Sequence, residues 1–541
     1  MRSILTRTVA TALLLTTTAF TPTLATAQTA LGVFAPQTAT MDLNTAWFTT
    51  QVEEKFNVDL NFETTGYDSS AASEKRQISL ASGDYPEIFM LVNWVDQFSQ
   101  AELIRYSQQG LIVPLNDLIE QHAPNIKAAF EKEPDFKKLA TAPDGNIYGL
   151  PQWNDCFHCS YSAKLWLNTQ WLETLGLEMP TTTEEMKAVL LAFKNGDPNG
   201  NGADDEIPLT ASTADPLVPY FMNAFEYDPR GTSSPMMLAL NGNQVQFQAV
   251  QPGWREGLAY LADLDGEGLI DSGAFTQNRE AMAALGNSAE GMIVGSVTAQ
   301  HPALLVTVGQ TDGRDTHYDP VPPLTGPSGN AFTSFNLASM PGAAFVITNK
   351  ATEEQQIAAI KIVDYMFTME GHAGAEYGKE GEQWLRPVEG DLALDPAYPP
   401  LYNQLPVDPN AAPTNMAWGA MGQYFSDKSW RGGQVQPEEI YEPAGFERRL
   451  FVATKLYEEK HPEDQLFPYW NIWTDPATAD ELAQLQTNLQ NYVSQANAEF
   501  VTGQRDINDD AAWSAYLADI ENLGLARYLE IYQTGYDASA K

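Results

Sequence analysis

The densest chemistry in the chain lies within residues 197–206. Asp197, Asn199 and Asn201 carry oxygen-bearing side chains at alternate positions, and Gly202 follows at the sixth place, where a calcium-binding loop turns sharply. Asp197, Asp204, Asp205 and Glu206 crowd four negative charges into these ten residues, which is unfavourable without a cation. Amide and carboxylate oxygens favour calcium over zinc, and a flexible loop favours it over magnesium. One structural Ca2+ is therefore the expected cofactor, with an ordinary Asn-Gly surface turn as the alternative. Both cysteines fall in Cys156-Phe157-His158-Cys159. A four-cysteine zinc site is impossible, and the six histidines show no close pairing. In an oxidising compartment the pair is expected as a local disulfide that stiffens a loop. Redox catalysis is the rival reading, but no thioredoxin-like unit surrounds the motif.

No enzyme signature stands in the sequence. G-x-S-x-G, H-E-x-x-H and the Walker A pattern are missing, and Gly266-Glu267-Gly268 lacks the third glycine of a dinucleotide loop. Seventy carboxylates supply many accidental acid pairs, so a glycosidase dyad stays open as the rival class. Aromatics are better evidence for a sugar, because pyranose rings present C–H faces to indole and phenol while neighbouring polar groups bind hydroxyls. Trp94, Trp153, Trp384, Trp418 and Trp430 follow strand-like or glycine-containing stretches. They are the candidates for stacking, with core packing as the alternative for each. Asn93, Asn154, Asp155 and Arg386 sit beside them and are the candidate hydroxyl or carboxylate partners. Trp513, three residues before Tyr516, reads as helix core.

The elements that must position these groups alternate in an α/β manner. Residues 58–62 and 87–92 read as strands, and residues 73–80 as a helix. Thr182 with Glu185, Thr352 with Gln355 and Thr478 with Glu481 each form a capping box ahead of a helical apolar stripe. Pro320, Pro322 and Pro323, followed by Gly326, Pro327 and Gly329, form the clearest linker or hinge candidate. No fixed-period repeat occurs.

Composition narrows the function further. The 541 residues include 70 acidic and 30 basic side chains, for a net charge of −40. That balance argues against nucleic acid and against docking on an anionic membrane. No internal apolar stretch approaches a membrane span. Residues 1–27 read as a cleaved signal peptide: Arg2 and Arg7 are followed by an apolar run and by Ala25-Thr26-Ala27. Gln28, not a cysteine, directly follows the cleavage site, so no lipid anchor is expected. Loss of the two arginines takes the charge from −40 to −42.

The order of segments resembles the extracellular solute-binding proteins of ABC importers, in the large oligosaccharide-binding branch that holds the alginate-binding and LplA-like proteins. Leu80-Ala81-Ser82-Gly83-Asp84-Tyr85-Pro86-Glu87-Ile88 is similar to a stretch of that family. So are Gly110-Leu111-Ile112-Val113-Pro114-Leu115 and Asn146-Ile147-Tyr148-Gly149-Leu150-Pro151, the latter at the family's first crossover. Gly291-Met292-Ile293-Val294-Gly295-Ser296, Ala344-Phe345-Val346-Ile347-Thr348 and the tail from Phe500 to Tyr532 continue the match. The resemblance implies a two-lobed, type II periplasmic-binding-protein fold of class α/β, with hinge crossovers, a helical C-terminal region and flytrap closure. It puts residues 28–150 and 324–370 in the first lobe and residues 151–323 and 371–541 in the second. It also implies a non-enzymatic, monomeric periplasmic protein that carries an oligosaccharide to a membrane permease. A uronate-containing sugar is the alternative inside the binding class, and a secreted hydrolase or lyase the alternative outside it. Residues 197–206 resemble an EF-hand loop and the calcium loop of the alginate-binding relatives. On that pattern Asp197, Asn199, Asn201, Asp205 and Glu206 give side-chain oxygens and Ala203 gives its carbonyl. Pro208 stands where an EF-hand has glutamate, so Glu206 must take the bidentate role.

Overall fold

Two sheets, each with its own helices, organise the chain. The computed structural model describes residues 28–231, 236–337, 339–406 and 414–539; the expected signal peptide lies outside them. In the first sheet, Thr29–Pro36 runs parallel to Val58–Thr65 on one side and to Ile88–Met90 on the other. Val58, Leu60 and Phe62 alternate inward with exposed Asp59, Asn61 and Glu63, the period-two signature of a strand with one face on the core. The helix Ser69–Ser82 between strands two and three starts where Asp68 accepts from the Ala71 N–H at 2.8 Å and stops at Gly83. The fourth strand, Phe345–Ile347, comes from far along the chain and adds antiparallel to Ile88–Met90.

The second sheet centres on Leu165–Asn168, flanked by Ser296–Thr298 and Tyr318–Val321, both antiparallel. Here the proline-rich hinge candidate needs correcting. Pro320 sits within the edge strand, opposite Trp166, so the segment begins in this sheet, and Thr325 bridges separately to Thr182. An edge strand tolerates proline because its missing N–H faces away from the ladder. The capping boxes at Thr182 and Thr352 form as expected, opening the helices Thr183–Asn195 and Glu353–Tyr365. Removing either threonine hydroxyl should cost about 1 kcal/mol. At Thr478 no box forms; a short 3-10 turn capped by Asp475 precedes the helix Ala479–Val501 instead. That helix packs with Asp510–Asn522 and Leu525–Ser539, and Asn497 accepts the Trp254 indole N–H at 3.2 Å. Trp513 stacks on Tyr516 with ring centroids 4.7 Å apart.

Three stretches meet where the sheets join. The Leu150 N–H donates to Phe345 O at 2.9 Å, and Trp153–Asn154 pairs in parallel with Phe425–Ser426. Buried Gln152 ties the joint: its amide donates to Ala420 O at 2.8 Å, and its oxygen accepts from the Asn93 N–H at 3.0 Å. Gly149 has no room for a side chain, since a Cβ would lie 2.6 Å from both Ala343 Cβ and Phe345 O. Part of the chain beyond residue 371 also packs on the first sheet's helices. The N–H groups of Trp47 and Phe48 donate to Asn415 O and Met416 O.

Candidate functional site

A cavity of about 300 Å³ opens beside this joint. One wall carries Glu133, Asp135, Trp153 and Asp155, continued by Asp395, Tyr398, Lys428 and Arg431. A second group of lining residues comprises Phe157, His158, Tyr161 and Phe335, together with Glu447, Phe451, Lys455 and Glu458. Phe157 packs against Phe451 at 5.2 Å and Tyr161 against Phe335 at 5.4 Å, so the aromatic rings of this group are connected. The disulfide between Cys156 and Cys159 closes the turn from which Phe157 and His158 project.

The polar groups around the cavity are held in place. Arg431 donates through Nε to Asn154 Oδ1 at 2.9 Å, while no described residue accepts from its two terminal nitrogens. The guanidinium therefore keeps a forked pair of donors for hydroxyls. Trp153 donates its indole N–H to Asp155 Oδ2 at 2.9 Å. Burial pushes the Asp155 carboxyl above the usual range, with the Trp153 bond opposing the rise. Burial likewise raises Glu447, against the pull of Arg431. His158 is driven well below its ordinary value by burial and then by Lys164 and Arg431, so its imidazole is neutral. Lys164, behind this wall, is lowered from 10.5 to about 7 by burial.

Of the sugar-binding candidates, Trp153 and Asp155 line the cavity, and Asn154 positions Arg431. Trp153 is 3% exposed and packs on Phe136. Trp94 lies outside the cavity, 56% exposed, with Tyr67 edge-on at 5.2 Å. Asn93, its neighbour, is tied to Gln152 through its backbone. Three expectations are corrected. Trp418 is core: it is 1% exposed, meets Phe48 at 4.8 Å and donates to Thr49 Oγ1. Trp384 donates to Gly378 O within a satellite cluster. Trp430 stacks between His372 and Tyr402, at 3.9 and 4.4 Å. Arg386 is also displaced, onto the surface, where Glu370 and Glu380 neutralise it. Sequence reasoning missed Arg431, Phe335 and Tyr398. The signal for Arg431 was Asp427, a cap opening the five-residue helix Lys428–Gly432 that turns Trp430 inward and Arg431 to the cavity.

The acidic loop follows the helix Thr183–Asn195 and runs into Ile207, which bridges to Val294 beside the second sheet. It thus lacks the second helix of an EF-hand. Positive φ at Asp197, Gly200 and Gly202 folds it tightly. Asp205 accepts from the Asn199 and Asn201 amides at 3.0 and 3.1 Å, while Asp197 Oδ2 accepts from the Gly202 N–H at 3.1 Å. The Ala203 N–H donates to Asn201 Oδ1. Glu206 Oε1 is buried with no partner among the described residues. Burial raises the Glu206 carboxyl, and Asp205, Asp197 and Asp204 raise it further. An orphaned carboxylate oxygen beside three other acids fits a hard cation, which the amide hydrogens at Asp205 replace in part.

The profile of bacterial extracellular solute-binding proteins matches residues 47–376, more than half of the chain. The chain belongs to that family. Among relatives of this solute-binding protein is the fructooligosaccharide ABC transporter substrate-binding protein FusA of Streptococcus pneumoniae serotype 4. It is 28% identical over 499 residues, covering 88% of this chain and 84% of FusA. In the solved structures, a FusA EF-hand mutant in complex with fructo-nystose superposes with a TM-score of 0.70 at 24% identity, over 94% of this chain and 99% of that one. An HMO-binding, ABC-transporter-associated solute-binding protein from Bifidobacterium longum infantis superposes with a TM-score of 0.73 at 22% identity, over 95% and 99%. These neighbours show the two-lobed α/β fold of the solute-binding protein.

Proposed function

We propose that this solute-binding protein captures an oligosaccharide in the cavity beside the joint and delivers it unchanged to the permease of an ABC importer. The observation that carries the reading is the cavity itself: connected aromatic rings line it together with a guanidinium whose terminal nitrogens no described residue engages and several carboxylates. Aromatic faces hold sugar rings, and fixed polar groups hold hydroxyls. The names of relatives as similar as FusA support the same class. Six carboxylates line the cavity, those of Glu133, Asp135, Asp155, Asp395, Glu447 and Glu458, against the three bases Lys428, Arg431 and Lys455. This excess of negative charge favours a neutral sugar over a uronate.

In this reading the lobes are residues 28–150 with 324–370 and residues 151–323 with most of 371–541, closing on the ligand by a hinge at the joint. Trp153, Asp155 and Arg431 touch the sugar, and Asn154 orients Arg431. The loop from Asp197 to Glu206 holds one calcium ion that pins the second lobe and does not meet the ligand. The protein acts as a monomer in the periplasm after removal of its signal peptide. Calorimetry against neutral fructo-oligosaccharides and uronate oligomers, with chromatography of the recovered sugar, tests this. A neutral series should bind and return intact. A cleaved product, or no binding by any oligosaccharide, overturns the proposal.

A further inference from the structure

The wall of the cavity holds a second chemistry that sugar capture does not use. The ligand atoms of Cys156, His158 and Cys159 all lie within 4.8 Å of one another, and Cys156 Sγ is 3.5 Å from His158 Nε2. Zinc holds a thiolate at about 2.3 Å and an imidazole at about 2.0–2.1 Å, so tetrahedral coordination sets sulfur and nitrogen about 3.6 Å apart. That spacing already exists. The other ring nitrogen, Nδ1, faces Glu447 Oε2 at 3.6 Å. A carboxylate behind a metal-bound histidine is the usual second-sphere support for zinc. Cys156 and His158 both line the cavity, which leaves a fourth position open to water.

We propose that opening the Cys156–Cys159 disulfide turns this segment into a three-ligand site for a thiophilic divalent cation of the zinc class. The step balances with a dithiol as reductant. The S–S bond takes up two electrons and two protons to become two thiols, and the dithiol becomes a disulfide. The cation then displaces both thiol protons and binds two thiolates and the Nε2 lone pair of His158. The two sulfurs part to about 3.8 Å, the separation set by the tetrahedron. The acidic loop does not compete, because its donors are hard oxygens.

The test uses the full chain, reduced with a dithiol, freed of reductant under argon and kept in excess calcium. Titration with cobalt(II) alone should give thiolate-to-cobalt charge transfer and tetrahedral visible bands that saturate near one ion per chain and vanish on adding zinc. The disulfide-bonded protein should give neither. His158→Gln should weaken zinc by at least about 10-fold, and Glu447→Gln by roughly 10–100-fold. Zinc should also shield both thiols of the unmutated protein from alkylation, a readout that needs no variant. No charge-transfer band in the reduced protein overturns the proposal, as does equal zinc affinity in a folded His158→Gln variant.

Discussion

Replacing Lys164 by methionine should change how stability depends on pH. The side chain is fully buried behind the cavity wall, and its ammonium donates to the backbone oxygens of His158, at 2.9 Å, and Tyr161. Two carbonyls do not compensate for lost water, so burial lowers this lysine from 10.5 to about 7. Above about 7 the folded chain releases a proton that the unfolded chain keeps until about 10.5. The unfolded state then binds more protons, so stability rises with pH across this window. Each pH unit contributes about 1.4 kcal/mol, so from pH 7 to about pH 9 the native protein should gain roughly 2–3 kcal/mol over Lys164→Met. Below about 7 both states hold the proton and the difference should be flat. Urea unfolding followed by tryptophan fluorescence, in excess calcium with the disulfide intact, measures it. The lost hydrogen bonds shift the variant equally at every pH, so only the slope counts. Parallel curves for the two proteins would refute the reasoning.

Three further outcomes are expected. A calcium chelator should lower the melting temperature, and at a calcium concentration about 100 times Kd the loss is about 2.7 kcal/mol; Glu206→Gln should abolish most of that response. Arg431→Gln should weaken sugar affinity by about 1–3 kcal/mol, and Trp153→Ala should destabilise the fold by about 3–5 kcal/mol. Sugar affinity should fall as pH drops through the raised range of Asp155 and Glu447, because hydroxyl donors prefer the ionised carboxylates; calorimetry over a descending pH series checks this.

What could be read from sequence was local. The boxes at Thr182 and Thr352 involve residues three apart, and the alternation through Val58, Leu60 and Phe62 needs no distant partner. The acidic loop was visible because its crowded charges are consecutive. Burial of aromatics was not legible, since it is decided across hundreds of residues. Trp418 is core because Phe48 and Thr49 lie against it, and Trp430 because His372 and Tyr402 sandwich it. Arg386 looked available because Glu370 and Glu380, which engage it, gave no sign of doing so. Arg431 was overlooked because its value depends on where a five-residue helix points one side chain, and on Asn154 holding it there.

The return of Phe345–Ile347 to Ile88–Met90 has a consequence for the order of assembly. Until Phe345 has been made, Ile88–Met90 is an unpaired apolar edge, although the strands on its other side are complete. An open edge of this kind templates pairing with other chains, and contacts so distant in sequence form slowly. The second sheet's strands all lie between residues 165 and 321, so it can close first while the earlier half of the molecule waits. A nascent chain is therefore exposed to aggregation from the synthesis of Ile88–Met90 until that of Phe345–Ile347. Chains cut before Phe345 should need a holding chaperone to stay in solution.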